Sequence, residues 1–274
     1  MTSYNALLLS SSAIELIVFL MLCLPVVLIL RLLYMFFEAI VLYNMPLKQQ
    51  HRDILNKDFP YYRKLPKDGV RRFERKLIFF MYKKKFEGRK KLEITDRMLV
   101  LISASAAQLT YGLRDLRFTY FGTITIFPRR YMNNRTKRMH EGEVNVREGM
   151  IVISWEDALK GIKNPKDGRN LLLHEMAHAL RLEDIISNDE YKFLKERYVK
   201  EFDKAAEKIV RQGGGSSIRC LFRKYALTNK DEFFAVAVEV FFERPAEFRV
   251  RIPDLYAMMS KLLNQDPASM YEAA

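Results

Sequence analysis

Residues 171–180 read LLLHEMAHAL, an apolar run in which only His174, Glu175 and His178 are polar. Positions four apart in a helix lie on one face, so both histidines can direct a ring nitrogen at one metal ion. Glu175 lies one position further round, where a carboxylate can take a proton from an attacking water. The alternative, a structural helix with two exposed histidines, would interrupt the apolar run without compensation. The H-E-x-x-H spacing therefore predicts a helix that carries hydrolytic zinc chemistry.

A third metal ligand must lie elsewhere, because catalytic zinc sites usually have three protein ligands and one open position. Asp184 follows His178 by six residues, but the turn position that is glycine in short-spaced motifs of this type is Arg181 here. Glu232 begins an apolar helical pattern over 230–243, and it would reach the metal if that helix packed against the motif helix. A carboxylate in the first turn of a helix is equally well explained by the helix dipole. Glu232 is the leading choice and Asp184 the second.

Glu239 lies seven residues after Glu232 and therefore on nearly the same face of the predicted helix. It could orient a histidine as a partner of the metal ligands. Burial between two helices beside an arginine or lysine explains it equally well. The sequence leaves both interpretations open.

The N-terminal segment favours a membrane anchor. Residues 15–37 read ELIVFLMLCLPVVLILRLLYMFF, which is long enough to cross a bilayer as a helix. No Lys or Arg precedes this run and no small-residue cleavage site follows it, which argues against a cleaved signal peptide. Its lack of polar periodicity argues against a buried core helix. Arg31 lies near the C-terminal end of the run and further cations, Lys48 to Lys64, follow it, so we expect a single-pass anchor over 1–43 with the catalytic part in the cytoplasm.

The formal net charge is +13, and basic clusters are concentrated between Lys48 and Lys91. Such a segment suits an acidic lipid surface, where each cation adds about 1 kcal/mol of attraction. A solvated basic helix face explains the clusters equally well. No zinc finger, RNA-binding signature or recognition-helix pattern accompanies them, so nucleic acid is not expected as a partner. Cys23 and Cys220 cannot form a disulfide framework, which fits a reducing compartment.

Periodicity along the chain predicts an α+β fold, mainly helical with a small sheet, rather than alternating βαβ units. Proline and glycine mark 44–70 as a linker, within a basic juxtamembrane arm over 44–95 that precedes a catalytic domain over 96–274. A loop or hairpin is expected at 129–149, and a glycine-rich loop at 213–217. Helices are expected at 70–82, 96–109, from 171, at 190–211 and at 230–243, and strands at 122–127 and 150–155.

Several longer stretches carry a family resemblance. HEMAH is preceded by VISWEDALKGIKNPKDGRNLLL and followed by YALTNKDEFFAVAVEVFFERP, with FPYYRKLP near the start and PDLY near the end. Over roughly residues 53–272 the chain resembles the Mlc titration factor A family of zinc-dependent peptidases. The resemblance implies a zincin-like fold, Zn²⁺ held by His174, His178 and Glu232, and Glu175 as the general base. It also implies that Tyr225 stabilises the tetrahedral intermediate.

The expected function is a membrane-tethered zinc peptidase that acts on a peptide or protein substrate. One alternative is a regulatory protein that binds a partner and has a weakly active or structural zinc site; the resemblance implies a transcriptional regulator as that partner. An intact general base favours the enzyme, since a structural zinc site needs neither a base nor an open position. A basic adaptor at the membrane surface is the third alternative.

Overall fold

The computed structural model describes residues 11–113, 118–133, 137–186 and 194–272. The helices are α1 (Ser11–Asn44), α2 (Gln49–Asp58), α3 (Pro60–Arg63), α4 (Lys67–Lys83), α5 (Asp96–Thr110), α6 (Trp155–Lys163), α7 (Leu171–Ile186), α8 (Glu196–Arg211), α9 (Ser216–Leu221), α10 (Lys230–Glu243), α11 (Pro245–Arg251), α12 (Pro253–Leu263) and α13 (Pro267–Glu272). The strands are β1 (Lys85–Gly88), β2 (Thr123–Phe127), β3 (Tyr131–Met132), β4 (Met139–His140), β5 (Gly142–Asn145) and β6 (Met150–Ser154). The chain divides into two compact units, Met1–Met45 and Pro46–Ala274.

The first unit is dominated by α1, whose 34 residues would span about 50 Å as a helix. Glu15–Asn44 is long and apolar enough to cross a membrane, by length and composition. Most of its large side chains are exposed, among them Leu20 at 56% and Phe36 at 68%, so α1 does not pack as a core helix. Residues 1–10 of the predicted anchor lie outside the described part.

The second unit contains a four-stranded sheet in the order β1-β2-β6-β5. β1 is parallel to β2 and β2 is parallel to β6, whereas β5 runs antiparallel to β6 along one edge. Ile124, Ile126, Ile151 and Ile153 are fully buried and form the centre of the sheet. The small sheet and the helical majority confirm the expected composition of the fold.

The chain passes from β1 through α5 to β2, which forms one βαβ unit within the predicted α+β fold. The sequence did not predict β1, because a four-residue strand reading KFEG has too few positions to show an alternating pattern. Parallel neighbours need a long crossover, and α5 provides it.

The segment 44–95 was predicted to be a linker and basic arm, and the structure corrects this. Residues from Pro46 onward belong to the second unit, and α2 and α4 pack against α5. Glu74 of α4 accepts hydrogen bonds from Arg52 in α2 (2.8 and 2.9 Å) and from the Tyr62 hydroxyl in α3 (2.7 Å). Proline in this segment does not indicate a flexible linker. Pro60 is the first residue of α3, a position where the missing N–H of proline breaks no helical hydrogen bond.

The remaining predicted elements are confirmed within the described residues. α4, α5, α7, α10, β2 and β6 match their predicted positions within a few residues. α8 covers 196–211, while the first residues of the predicted helix, 190–193, lie outside the described part. The region 129–149 contains the β3–β4 hairpin and the edge strand β5. The predicted glycine-rich loop covers 213–215, where Gly213 and Gly214 have φ of +69° and +68°, and α9 begins at Ser216, so the loop ends two residues before its predicted end.

Candidate metal centre

Two capped helices position the candidate ligands. Asn170 caps α7, since its Oδ1 accepts a hydrogen bond from the Leu173 amide (3.2 Å). Asn229 caps α10 in the same way, accepting from the amides of Asp231 and Glu232 at 2.9 Å each. α7 and α10 pack against each other, so the motif histidines of α7 meet the first turn of α10.

His174, His178 and Glu232 form one cluster, with a ligand atom of each within 4.8 Å of the others. The two Nε2 atoms are 3.2 Å apart, and Glu232 Oε2 lies 3.3 Å from that of His174 and 3.4 Å from that of His178. Glu232 Oε2 is buried and accepts no hydrogen bond. A buried carboxylate oxygen without a donor, facing two imidazole nitrogens, is the donor set that Zn²⁺ prefers. The residues present therefore fit a zinc ion.

The opposite charges of Glu232 and the histidines shift the pKa values of both kinds of group. Burial raises the pKa of Glu232, but the two imidazoles outweigh it and hold the pKa well below its usual range. Burial lowers the pKa of His174, but its contacts with Glu232 and Glu239 raise it to about 10. A metal ion would have to displace a proton from His174, so metal affinity should increase with pH.

Glu239 orients His174 from behind. Its carboxylate is 1% exposed, and Oε1 lies 2.7 Å from His174 Nδ1. The same carboxylate accepts hydrogen bonds from the Asn170 amide (2.6 Å) and from Arg223 Nη2. A carboxylate at Nδ1 holds the proton there and directs the Nε2 lone pair toward the cluster. Glu239 thus combines the two roles that the sequence left open.

Glu175 lies against the edge strand of the sheet. It is 5% exposed, and a Cβ added to Gly142 of β5 would lie 2.6 Å from its Cδ and 2.7 Å from its Cγ. Only glycine leaves room for the carboxylate. Burial raises the pKa of Glu175 to about 7 against the lowering effect of the two histidines. Sequence reasoning missed Gly142, although an isolated glycine in a strand can indicate a close approach.

A cavity of about 700 Å³ opens beside this cluster and is lined by Glu175, His174, His140 and Tyr225. Tyr225 lies in a 3₁₀ turn, Lys224–Leu227, and its side chain is 53% exposed. Its ring centroid is 6.2 Å from that of His174. Burial and the charge of Glu232 raise the pKa of Tyr225 to about 12, so its phenol stays protonated and can donate a hydrogen bond.

Asp184, the second choice for the third ligand, is not part of the cluster among the described residues. Its Oδ1 accepts a hydrogen bond from the Leu194 amide (3.0 Å). Arg181, which replaces the turn-forming glycine, is buried, pairs with Asp203 at 2.7 Å and lies over the Phe234 ring. The helix therefore continues past the histidines, and the chain does not turn back to bring Asp184 to them.

Comparisons with known proteins identify relatives of this chain. Over 245 residues the chain is 24% identical to an uncharacterized protein of Synechocystis sp., covering 82% of this chain and 87% of that protein. It is 24% identical over 210 residues to Mlc titration factor A of Pectobacterium atrosepticum (69% and 76% covered) and 32% identical over 128 residues to that of Escherichia coli (44% and 46% covered). These matches confirm the resemblance to the Mlc titration factor A family. A family model matches residues 35–263, and the chain therefore belongs to the family described as glucose-regulated metallo-peptidase M90.

Proposed function

We propose that this chain is a zinc-dependent peptidase with a zincin-like catalytic domain, in which His174, His178 and Glu232 hold the ion. The observation that carries the proposal is the convergence of these three ligand atoms around a carboxylate oxygen that accepts no hydrogen bond. Glu175, a buried carboxylate on the same helix, lines the adjoining cavity and suits a general base. A structural zinc site would need neither this base nor an open cavity.

Zinc held by these residues would lower the pKa of a water molecule and polarise the scissile carbonyl. Glu175 takes a proton from the attacking water and passes it to the leaving amine, and a pKa of about 7 suits both transfers. Tyr225 donates a hydrogen bond to the oxygen on which negative charge develops. Glu239 keeps the proton on His174 Nδ1 and holds the ring in place.

The decisive experiment measures zinc content and peptide hydrolysis together on wild type, Glu175→Gln and Tyr225→Phe. We expect one zinc per chain in all three. Removing the general base should lower turnover about a hundredfold or more, and removing the Tyr225 hydroxyl should lower turnover with no change in zinc content. A fully active Glu175→Gln variant would contradict the hydrolytic mechanism.

The same experiment tests a second candidate, a regulatory protein that works by binding a partner. Curated relatives carry the name Mlc titration factor A, and this name favours binding to a transcriptional regulator. One zinc in both wild type and Glu175→Gln, with no hydrolysis of a broad peptide library, would favour this candidate over the peptidase.

We further propose that α1 is a single-pass anchor, which its length and apolar composition support, and that the catalytic domain lies in the cytoplasm, which the cations after the helix favour. Cys220 is exposed and lies in the catalytic unit, whereas Cys23 lies within α1. A membrane-impermeant maleimide should label Cys220 only after the cells are lysed. Labelling of Cys220 in intact cells would reverse the proposed orientation.

A further inference from the structure

A second cavity, of about 450 Å³, lies between α3, α10 and α13 and contains none of the candidate metal ligands. Tyr61, Phe242 and Tyr271 provide aromatic walls. The Tyr61 hydroxyl donates to Gln265 Oε1 (2.7 Å) and the Tyr271 hydroxyl to the Phe242 carbonyl (3.0 Å), so both hydroxyls are already engaged. A cavity of this size with apolar walls suits a small organic molecule.

Every carboxylate in the lining already has partners. Asp58 pairs with Arg97 (2.8 Å), and Glu247 pairs with both Arg244 and Arg251. The other two lining carboxylates are also engaged: Glu272 pairs with Arg249, and Glu243 accepts hydrogen bonds from the Gly168 amide (2.9 Å), the Arg169 amide (3.1 Å) and Asn170 Nδ2 (3.0 Å). Three of the four lining carboxylates are therefore paired with arginines, and burial raises the pKa of Glu243 to about 8, so this group carries little negative charge at pH 7.

The lining also contains two lysines, Lys64 and Lys166. Unlike three of the four carboxylates, neither of them pairs with an oppositely charged side chain within the described residues. Lys64 is half-buried, and its Nζ lies 3.4 Å from the centroid of the Tyr271 ring. Burial lowers the pKa of Lys64, and the nearby charges of Lys166 and Arg63 lower it further. Two ammonium groups that repel each other beside an apolar wall would be stabilised by an anion.

We propose that this cavity binds a small organic anion. Its carboxylate or phosphate group lies between Lys64 and Lys166, and its apolar body packs against Tyr61, Phe242 and Tyr271. Asn170 lines this cavity and that of the metal centre, and its amide donates to Glu239, which holds His174. A bound anion would therefore contact a residue one hydrogen bond away from the carboxylate that orients a metal ligand.

Calorimetric titration of the full chain, purified in detergent, tests this directly. The protein is treated with a chelator beforehand, so that a carboxylate cannot bind through zinc. The probes are 3-phenylpropanoate, phenyl phosphate and the uncharged 3-phenylpropanamide; the two anions distinguish a carboxylate from a phosphate site. We expect at least one anion to bind, with the amide about tenfold weaker or more, the equivalent of about 1.4 kcal/mol.

Lys64→Gln and Lys166→Gln should each weaken anion binding about tenfold. Lys163→Gln is the matched control, since Lys163 is exposed at the end of α6 and does not line the cavity. The proposal is overturned if neither anion binds at millimolar concentration, if the amide binds as tightly as the acid, or if either lysine variant binds as tightly as wild type. Because the protein is metal-free, the result is independent of whether the chain hydrolyses peptides.

Discussion

At the residue scale, His174 uses both of its ring nitrogens. Nε2 faces His178 and Glu232, while Nδ1 contacts the buried carboxylate of Glu239. The ring can therefore neither flip nor rotate without losing a contact on one side. Such a fixed ring presents its lone pair in one direction, as a metal ligand must.

We predict that Glu239→Gln weakens zinc binding 10- to 100-fold, a range typical of lost partners behind a metal ligand. An amide oxygen is a weaker acceptor than a carboxylate for the proton at His174 Nδ1. Competition with a chromophoric chelator measures the affinity. Glu243→Gln is the matched control one turn further along α10, because Glu243 binds the 168–170 loop and makes no contact with His174. Equal losses in both variants would contradict an orienting role for Glu239.

Gly142→Ala should lower turnover about a hundredfold while zinc content is retained. The added methyl group would overlap the Glu175 carboxylate, and a displacement of about 1 Å at a catalytic group can cost this much. Gly122→Ala serves as the control, since no atom lies within 4 Å of a Cβ built there. If both variants retain full activity, Glu175 does not need its present position.

At the element scale, α10 supplies three carboxylates from one face. Glu232 faces the histidines, Glu239 holds His174, and Glu243 binds the loop that leads into α7. Their spacings of seven and four residues keep them on the same side of a helix. The opposite side of α10 carries buried phenylalanines such as Phe234 and Phe241, which anchor the helix in the core.

Glu74 in α4 connects three helices, because its carboxylate accepts hydrogen bonds from side chains of α2 and α3. Glu74→Gln should therefore lower the free energy of unfolding by about 1–3 kcal/mol at pH 7. Burial raises the pKa of Glu74, but Arg52 and Tyr62 lower it below its ordinary value of 4.5. Its ionised form therefore contributes stability above pH 4.5, and this contribution is lost as the pH falls through the folded-state pKa.

Urea unfolding of wild type and Glu74→Gln at pH 7 and at pH 3.5 measures both effects, and the difference should shrink at the lower pH. Glu201→Gln is the control, because its partner Arg197 is 82% exposed and such surface pairs contribute little. A difference that grows on acidification would contradict the assigned pKa direction.

At the scale of the whole molecule, the candidate metal site joins two helices that are distant in sequence, and metal binding should therefore stabilise the second unit, Pro46–Ala274. At free zinc 100 times the dissociation constant, the gain is about 2.7 kcal/mol. For a unit of this size we expect chelation to lower Tm by about 5–10 °C. Glu232→Ala should show no such shift. An identical Tm with and without chelator in wild type would exclude zinc binding by the folded state.

The sequence alone was sufficient for features that depend on local spacing. The i, i+4 histidines of α7, the bounds of α10 and the length of α1 follow from periodicities that span one or a few helical turns. The family resemblance, which rests on residue identity, named Glu232 and Tyr225. Local patterns did not show that 46–95 folds into the second unit, since that depends on the contacts of Glu74 with Arg52 and Tyr62.

Only the tertiary structure decided which groups surround the histidines. It placed Glu232 beside them and Asp184 elsewhere, assigned Glu239 to both His174 and Arg223, and revealed that Gly142 leaves room for Glu175. Each of these contacts joins elements that are separate in the sequence. Their existence depends on how α7, α10 and the edge strand pack, and packing is set by side-chain shape across the whole core rather than by any local pattern.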